Sequence, residues 1–237
     1  MSGKINKFSY IYCKQYIMRE PNRERKGEIK YEISLNEEQK EAKRLIIENQ
    51  IVIITGQAGS GKSLVCAQTA LDFLQKKQVD KILNTRAAIE VGDSLGFLPG
   101  DLKDKFGPYM EAFVENLYKC YNPRIIDEFI EAKKLQAMPV QFVRGKTVDD
   151  ILIIEEAQNL TKHQMLALLT RLGKTGKIVI NGDNEQQDTT ESFSGLKYAL
   201  SLSNKISEIK HIHLHENHRS GLVGKILDFE YKNRVSN

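Results

Sequence analysis

The sequence has 237 residues, a length that corresponds to one large domain or to one medium-sized domain with additions. Hydrophobic residues make up 41% of the chain and charged residues 28%, so the chain can bury a sizeable core and stay in solution. No apolar run approaches the roughly 20 residues that a membrane-spanning helix needs, and no apolar stretch of the signal-peptide kind follows the first residues. We therefore expect neither a membrane protein nor a secreted one.

Charge and cysteine content narrow the class of protein further. The formal net charge of +4 is compatible with a polyanionic partner but is too small to indicate one by itself. Cys13, Cys66 and Cys120 are widely spaced and form no C-x-x-C pair, so neither a disulfide framework nor a cysteine-built zinc site is expected. A reducing cytoplasm fits this composition best, and we predict a cytoplasmic protein without a membrane partner.

The first 34 residues are predicted to be an extension of the main domain, which is expected to span residues 35–237. Residues 7–13 form a strand-like piece, and residues 19–30 are dense in charge and contain proline and glycine. A basic tract of this kind can contact nucleic acid. Because three glutamates are interspersed in it, a solvated linker is the favoured interpretation.

The main domain alternates between helical and strand-like segments. Asn36 and Gln39 have the spacing of a capping box and predict the start of a helix. Short apolar runs predict buried strands at residues 51–54, 81–84, 140–143, 151–154 and 177–180. Helical periodicity is found between them, at residues 64–74 and 162–171. Apolar strands that alternate with helices predict a layered α/β fold with a mostly parallel sheet.

A phosphate-binding loop follows the first predicted strand. The segment matches G-x-x-x-x-G-K-[ST] at every defined position and consists of Gly56, Gln57, Ala58, Gly59, Ser60, Gly61, Lys62 and Ser63. Its glycines allow successive backbone N–H groups to point at a phosphate near the positive end of a helix. Lys62 is expected to reach the β- and γ-phosphates of ATP, and the Ser63 hydroxyl to ligate Mg²⁺.

Two acids follow the predicted strand at residues 151–154, at the strand end where open α/β sheets bind ligands. We expect Glu155 to hold Mg²⁺, usually through water, and Glu156 to orient or deprotonate the attacking water. The alternative is that these acids only cap the helix that starts near Thr161. A third strand ends in Asn181 and Gly182, a sequence that fits either a γ-phosphate sensor or an ordinary turn.

Longer segments of the chain resemble the signature of the PhoH-like P-loop ATPases. The most specific one is the run L-G-F-L-P-G-D-L within residues 85–102. Shorter matches occur at residues 143–147, 155–159, 169–173 and 182–186. The resemblance covers roughly residues 35–235, and it implies a three-layer RecA-like P-loop core related to superfamily-one helicases.

The resemblance also implies roles for single residues. Residues 35–39 are similar to the helicase Q motif, which would make Gln39 the reader of adenine. Residues 214–220 are similar to a helicase motif whose arginine reaches the γ-phosphate, here Arg219, and Gln186 matches the glutamine of the G-D-x-x-Q motif. The family usually has aspartate where this chain has Glu155, and this departure leaves the rate of hydrolysis open.

The resemblance further implies partners and an assembly. It implies a homo-oligomer in the form of a hexameric ring, because one RecA-type core needs a neighbouring copy to complete its ATP site. Arg144, Arg171 and Arg219 are candidates for the arginine that stabilises the charge of the transferred phosphoryl group. We expect ATP hydrolysis coupled to single-stranded nucleic acid, with RNA favoured over DNA. The alternative is a nucleotide-gated ring that grips RNA or a protein partner with little turnover.

Two further segments have two interpretations each. Residues 106–138 either contact nucleic acid or another subunit, or form a packing subdomain around Phe113, Leu117, Ile126 and Phe129. His211, His213 and His215 lie at period two on one face of a predicted strand. Three imidazoles on one face can bind Zn²⁺, but no acid or cysteine completes a familiar set of ligands, so a solvated strand is favoured.

Overall fold

The computed structural model describes residues 29–87, 113–183 and 194–216, and also 218, 221, 222 and 225. The strand-like piece at residues 7–13, Gln186 and Arg219 lie outside the described residues, as do most of the charged linker and most of the signature at residues 85–102.

Helices and strands alternate along the described chain, as the apolar pattern predicts. The helices are α1 (Glu37–Glu48), α2 (Lys62–Gln75), α3 (Pro123–Glu131), α4 (Val140–Val143), α5 (Lys162–Leu169) and α6 (Gly195–Ser203), with a 3₁₀ turn at Ala157–Asn159. Residues 113–120 are also helical. The strands are β1 (Ile51–Gly56), β2 (Ile82–Arg86), β3 (Leu135–Ala137), β4 (Ile151–Glu155), β5 (Lys177–Gly182) and β6 (Ile209–Leu214).

Within the described residues the six strands form one parallel sheet in the order β3-β2-β4-β5-β1-β6. The expected α/β architecture with a parallel sheet is therefore confirmed. Strand β4, which carries Glu155, does not neighbour β1, which leads into the phosphate-binding loop, because β5 lies between them. The end of β5 is thus placed between the loop and the two acids.

Two separate cores cover the two faces of the sheet and give the molecule three layers. On one face, α1, α2, residues 113–120 and α3 bury side chains such as Ile54, Leu71 and Leu117. On the other face, α4, α5 and α6 bury side chains such as Leu152 and Leu168. Strands with apolar side chains on both faces read as continuous apolar runs, which explains why β1, β4 and β5 are evident in the sequence.

The prediction of a strand at residues 140–143 is wrong. This run is the short helix α4, in which Val140 and Val143 are buried one turn apart while Phe142 is 49% exposed. The strand of this region is β3, three residues earlier, and Pro139 separates the two elements. Four apolar residues are too short a run for their spacing to distinguish a helix from a strand.

The packing interpretation of residues 106–138 is confirmed for the part that the structure describes. Phe113, Leu117 and Ile126 are buried in the core on the α2 face of the sheet, and Phe129 packs against that core. The segment before α1 packs against the same core through Ile29 and Tyr31.

Both ends of α1 are satisfied by side chains. At its start, Gln39 N donates to Asn36 Oδ1 and Asn36 N donates to Gln39 Oε1, which confirms the capping box. At its end, Lys177 Nζ donates to the backbone oxygens of three residues at the terminus, Ile46, Ile47 and Asn49. A lysine amine at a helix C-terminus satisfies the last carbonyl groups and interacts favourably with the helix dipole.

Among the described helices, none combines the length and apolar character that crossing a membrane requires.

Candidate functional site

The phosphate-binding loop connects the end of β1 to the start of α2. Gly59 and Gly61 have φ angles of 94° and 86°, in the left-handed region that favours glycine, and Gly61 is the N-cap of α2. A Cβ atom at Gly56 would lie 2.6 Å from the backbone oxygen of Leu214, so β6 also requires glycine at this position. The loop therefore presents its backbone at the N-terminus of a 14-residue helix, which is the arrangement that binds anions.

The Lys62 side chain is held within the phosphate-binding loop by two hydrogen bonds. Lys62 Nζ donates to the backbone oxygen of Gly56 at 2.6 Å and to that of Gln57 at 3.0 Å. The Ser60 side chain is buried, and its hydroxyl has no hydrogen-bond partner within the described structure. Ser63 occupies the first turn of α2. The ammonium group of Lys62 is thus placed at the mouth of the loop, where a phosphate oxygen can compete with the two carbonyl groups.

Glu155 ends β4 with a side chain that is only 7% exposed. The pKa of the buried Cys66 thiol on α2 is raised to about 12, above all by burial, and the carboxylate of Glu155 also raises it while the ammonium group of Lys62 lowers it. Cys66 lies on α2, the helix that starts at the phosphate-binding loop, and the order of the strands places the end of β5 between that loop and the end of β4. Asn181 of β5 lies between them, with its Nδ2 atom 3.8 Å from Cys66 Sγ.

Glu156 follows β4 in a left-handed backbone conformation, with φ 50° and ψ 44°. This conformation is costly for a residue with a side chain, and such strain is concentrated at functional sites. Gln158 Nε2 donates to Glu156 Oε2 at 2.7 Å, and Gln158 Oε1 accepts the N–H of Asp183 at 3.0 Å. One amide thus connects the second acid to the end of β5. The Glu156 side chain makes no cap hydrogen bond to the turn that follows it, and α5 is capped by Thr161 and Gln164, so the interpretation in which the two acids cap that helix is wrong.

Gln39 contacts the phosphate-binding loop. Its Nε2 atom donates to the backbone oxygen of Ser60 at 3.0 Å, and the residue is 2% exposed. A Cβ atom at Gly61 would collide with the same amide. Both ends of the Gln39 amide are therefore engaged inside the protein, one by the loop and one by Asn36. The reading of adenine by Gln39 stays a prediction.

His218, four residues after the end of β6, contacts the phosphate-binding loop. The N–H of His218 donates to the backbone oxygen of Gly59 at 3.0 Å. Arg219 itself lies outside the described residues, so only its neighbour is located next to the loop.

The other two candidate arginines lie far from this site in the same chain. The backbone oxygen of Arg171 accepts the N–H of Val148, which precedes β4, and Arg171 Nη1 donates to the backbone oxygen of Arg144. Glu155 lies at the opposite end of β4, about 13 Å away along the strand. Arg171 therefore does not reach the phosphate site of its own chain.

The strand histidines contact the residue that precedes the loop. The Thr55 hydroxyl lies 2.8 Å from His211 Nε2 and 2.9 Å from His213 Nδ1, so both imidazoles share one face of β6. The rings of His213 and His215 are in edge contact, with centroids 4.6 Å apart. Among the described residues, no group of three or more histidine, cysteine or acidic side chains is arranged to hold a metal ion.

The residues present fit a nucleotide and its magnesium ion. The loop offers backbone N–H groups, the Lys62 ammonium group and the Ser63 hydroxyl, and the buried Glu155 supplies the oxygen ligand that Mg²⁺ prefers. Gln158 and Glu38 were not singled out in the sequence. Gln158 lies in residues 155–159, which resemble the family signature, and this resemblance was the sequence signal for a functional role of Gln158. Glu38 contacts a residue 177 positions away in the chain, and a single sequence does not reveal such a contact.

The chain is similar in sequence to a family of known proteins. A family model described as PhoH-like protein matches residues 33–230. A PhoH-like protein of Mycobacterium tuberculosis is 38% identical over 189 residues, which cover 76% of the chain and 52% of the relative. One of Bacillus subtilis is 38% identical over 184 residues, covering 76% and 58%. The chain thus spans about half the length of these curated relatives. A solved structure of the Pif1 helicase from Candida albicans superposes with a TM-score of 0.46 and 17% identity, covering 83% of the chain and 43% of the helicase.

Proposed function

Because the chain belongs to the PhoH-like protein family, we propose that it is a Mg²⁺-dependent ATPase that couples hydrolysis to single-stranded nucleic acid, with RNA as the favoured track. The observation that carries the proposal is the phosphate-binding loop at the start of α2, where Lys62 Nζ donates to the backbone oxygens of Gly56 and Gln57, together with the buried Glu155 at the end of β4. A cation and a carboxylate on these two elements are the parts that P-loop NTPases use.

In the proposed reaction, the backbone N–H groups of the loop and the Lys62 ammonium group bind the β- and γ-phosphates. Ser63 and Glu155 would hold Mg²⁺, which would neutralise charge on the phosphate oxygens. Glu156 accepts a proton from the water that attacks the γ-phosphorus, and ADP leaves with the bond between the β- and γ-phosphates broken. Gln186 and Arg219 are the proposed contacts to the γ-phosphate.

The proposed partners are single-stranded nucleic acid and further copies of the chain. The similarity of residues 35–39 and 214–220 to helicase motifs supports a nucleic-acid track, and the net charge of +4 is compatible with it. We propose a homo-oligomeric ring, a hexamer, because the family resemblance implies a single RecA-type core that needs a neighbouring copy to complete its ATP site. Within the chain, Arg171 Nη1 donates to the backbone oxygen of Arg144, away from the phosphate site.

The test is phosphate release from Mg-ATP with and without single-stranded RNA or DNA. We expect turnover that one polymer stimulates and that Lys62→Ala and Glu156→Gln each lower at least about a hundredfold, because they remove the phosphate contact and the proton acceptor. Lys174→Ala is the matched control, since Lys174 is an exposed lysine of the loop before β5. A rate that Lys62→Ala leaves unchanged would sink the proposal.

The same assay tests the low-turnover alternative, which the presence of Glu155 in place of aspartate favours. Tight ATP binding with negligible phosphate release would support a nucleotide-gated ring. Steady turnover would reject it. If neither RNA nor DNA changes the rate, the coupled partner is a protein and the helicase-like interpretation falls.

A further inference from the structure

The segment that follows β6 is attached to two other parts of the nucleotide site. The N–H groups of His215 and Glu216 donate to Glu38 Oε2, at 2.8 and 3.4 Å, and the N–H of His218 donates to Gly59 O at 3.0 Å. We call the described residues His215, Glu216 and His218 the crossing segment. It begins directly after β6 and contacts the phosphate-binding loop at His218, which precedes Arg219 in the sequence.

The start of α1 contacts both the crossing segment and the loop. Asn36 Nδ2 donates to Glu216 Oε2 at 2.8 Å and lies 3.2 Å from His218 Nε2. One helical turn later, Gln39 Nε2 donates to Ser60 O. Loop, crossing segment and helix start therefore form a closed ring of hydrogen bonds, in which each part is held by the other two.

Glu38 is the charged member of this ring. Its pKa is lowered, chiefly by the hydrogen bond from the N–H of His215, so it accepts these bonds as a carboxylate at neutral pH. Two N–H groups on one carboxylate oxygen fix the direction in which the chain leaves β6. The neighbouring Glu37 also lies in the first turn of α1, but it pairs with Lys40 at 2.6 Å instead.

We propose that Glu38 is a positioning residue of the nucleotide site: it holds the crossing segment on the phosphate-binding loop and so fixes the position of His218, the residue that precedes Arg219 in the sequence. The inference rests on the proposed function, in which Arg219 contacts the γ-phosphate. It adds a residue that touches neither nucleotide nor metal and acts through the backbone of the crossing segment. A displacement of about 1 Å in a catalytic group can lower the rate about a hundredfold. A residue that fixes the backbone of the crossing segment after β6 is therefore expected to affect kcat.

The test compares steady-state ATP hydrolysis by the full chain with that of Glu38→Ala, Glu38→Gln and Glu37→Ala. We expect Glu38→Ala to lower kcat at least about tenfold with less than about a threefold change in KM for ATP. Glu38→Gln keeps an acceptor oxygen and is expected to restore most of that loss. Glu37→Ala should match the wild type, because Glu37 makes its ion pair on the exposed surface of α1.

A double variant shows whether Glu38 acts through the arginine. In the Arg219→Ala background, Glu38→Ala is expected to change kcat by less than about twofold, because the group that it positions is already gone. If Glu38→Ala costs its full factor in that background, or if Arg219→Ala alone leaves kcat unchanged, the proposal is overturned.

Amide hydrogen exchange supplies a readout that is independent of catalysis. The N–H groups of His215 and His218 should exchange faster in Glu38→Ala than in Glu37→Ala, and equal exchange in the two variants overturns the proposal. Failure of the proposed function and failure of the inference about Glu38 give different results. If the wild-type chain shows no Lys62-dependent hydrolysis, the proposed function falls and this inference with it. An active wild type whose Glu38→Ala variant behaves like Glu37→Ala removes only the inference.

Discussion

The side chain of Gln158 shows how one residue joins two elements of the site. Its amide donates to Glu156, the proposed proton acceptor, and accepts the backbone N–H of Asp183 at the end of β5. The residue is buried, and a Cβ atom at Gly182 would lie 2.7 Å from Gln158 Oε1. The lack of a side chain at Gly182 therefore lets the amide sit between the two strands and hold the Glu156 carboxylate in one orientation.

We expect Gln158→Ala to lower kcat about ten- to a hundredfold, because Glu156 loses the donor that orients it. The N–H of Asp183 is left without this acceptor, which costs about 1–3 kcal/mol of stability. The measurement is ATP hydrolysis together with urea unfolding. Gln164→Ala is the matched control: Gln164 completes the capping box of α5, so its loss should lower stability with no change in kcat. Equal kcat values for the two variants would contradict the role of Gln158.

At the scale of elements, β6 places two histidine side chains next to β1, the strand that leads into the phosphate-binding loop. His211 and His213 flank the Thr55 hydroxyl, and a hydroxyl can donate only one proton, so at least one ring nitrogen donates to it. Burial lowers the pKa of His211, and the nearby His213 lowers it further. Burial and His215 likewise lower the pKa of His213; Asp183 and Glu38 oppose this shift, and Lys62 adds a little to it.

These shifts predict that the protein loses stability as pH falls below about 6.5, the ordinary pKa of histidine. Because the folded-state pKa values are lower than the unfolded ones, the unfolded chain binds protons first, and acid favours unfolding. Urea midpoints between pH 7.5 and 5.5 should fall less in the variant His211→Gln/His213→Gln than in the wild type. His163→Gln, which changes an exposed histidine of α5, should keep the wild-type slope. A double variant as pH-sensitive as the wild type would disprove the assignment.

The helices and strands differ in how well the sequence predicts their positions. β1, β4 and β5 were evident because strands buried on both faces are continuous apolar runs. The capping box of α1 and the phosphate-binding loop are local patterns, in which a few neighbouring residues determine the geometry. The three-residue strand β3 and the helix α4 were missed because neither is long enough to show a period.

At the scale of the whole molecule, the site is assembled from residues that are far apart in the chain. Glu38 and His215 are separated by 177 positions, and Thr55 and His211 by 156. Which strands are neighbours decides these contacts, and the order of parallel strands cannot be read from a single sequence. That is why the presence of the loop and the two acids was predictable, whereas β5 between them, the ring at Glu38 and the bridging amide of Gln158 were not.

Because the site draws on strands from the middle and one edge of the sheet, a nucleotide should stabilise the whole domain. A ligand that binds only the folded chain adds about 2.7 kcal/mol at a concentration of 100 times its Kd. For a domain of 150–250 residues, each kcal/mol raises Tm by about 2–4 °C, so Mg-ADP or a non-hydrolysable ATP analogue at that excess should raise Tm by about 5–11 °C.

Thermal unfolding with and without nucleotide measures this shift and separates binding from hydrolysis. Lys62→Ala should lose most of the shift at the same nucleotide concentration, because it removes the ammonium group that competes for the phosphate oxygens. Lys174→Ala, which removes an exposed lysine before β5, should keep it. A full shift in Lys62→Ala would mean that the nucleotide binds away from the loop, and the roles proposed for Glu155 and Glu156 in holding Mg²⁺ and activating water would fall with it.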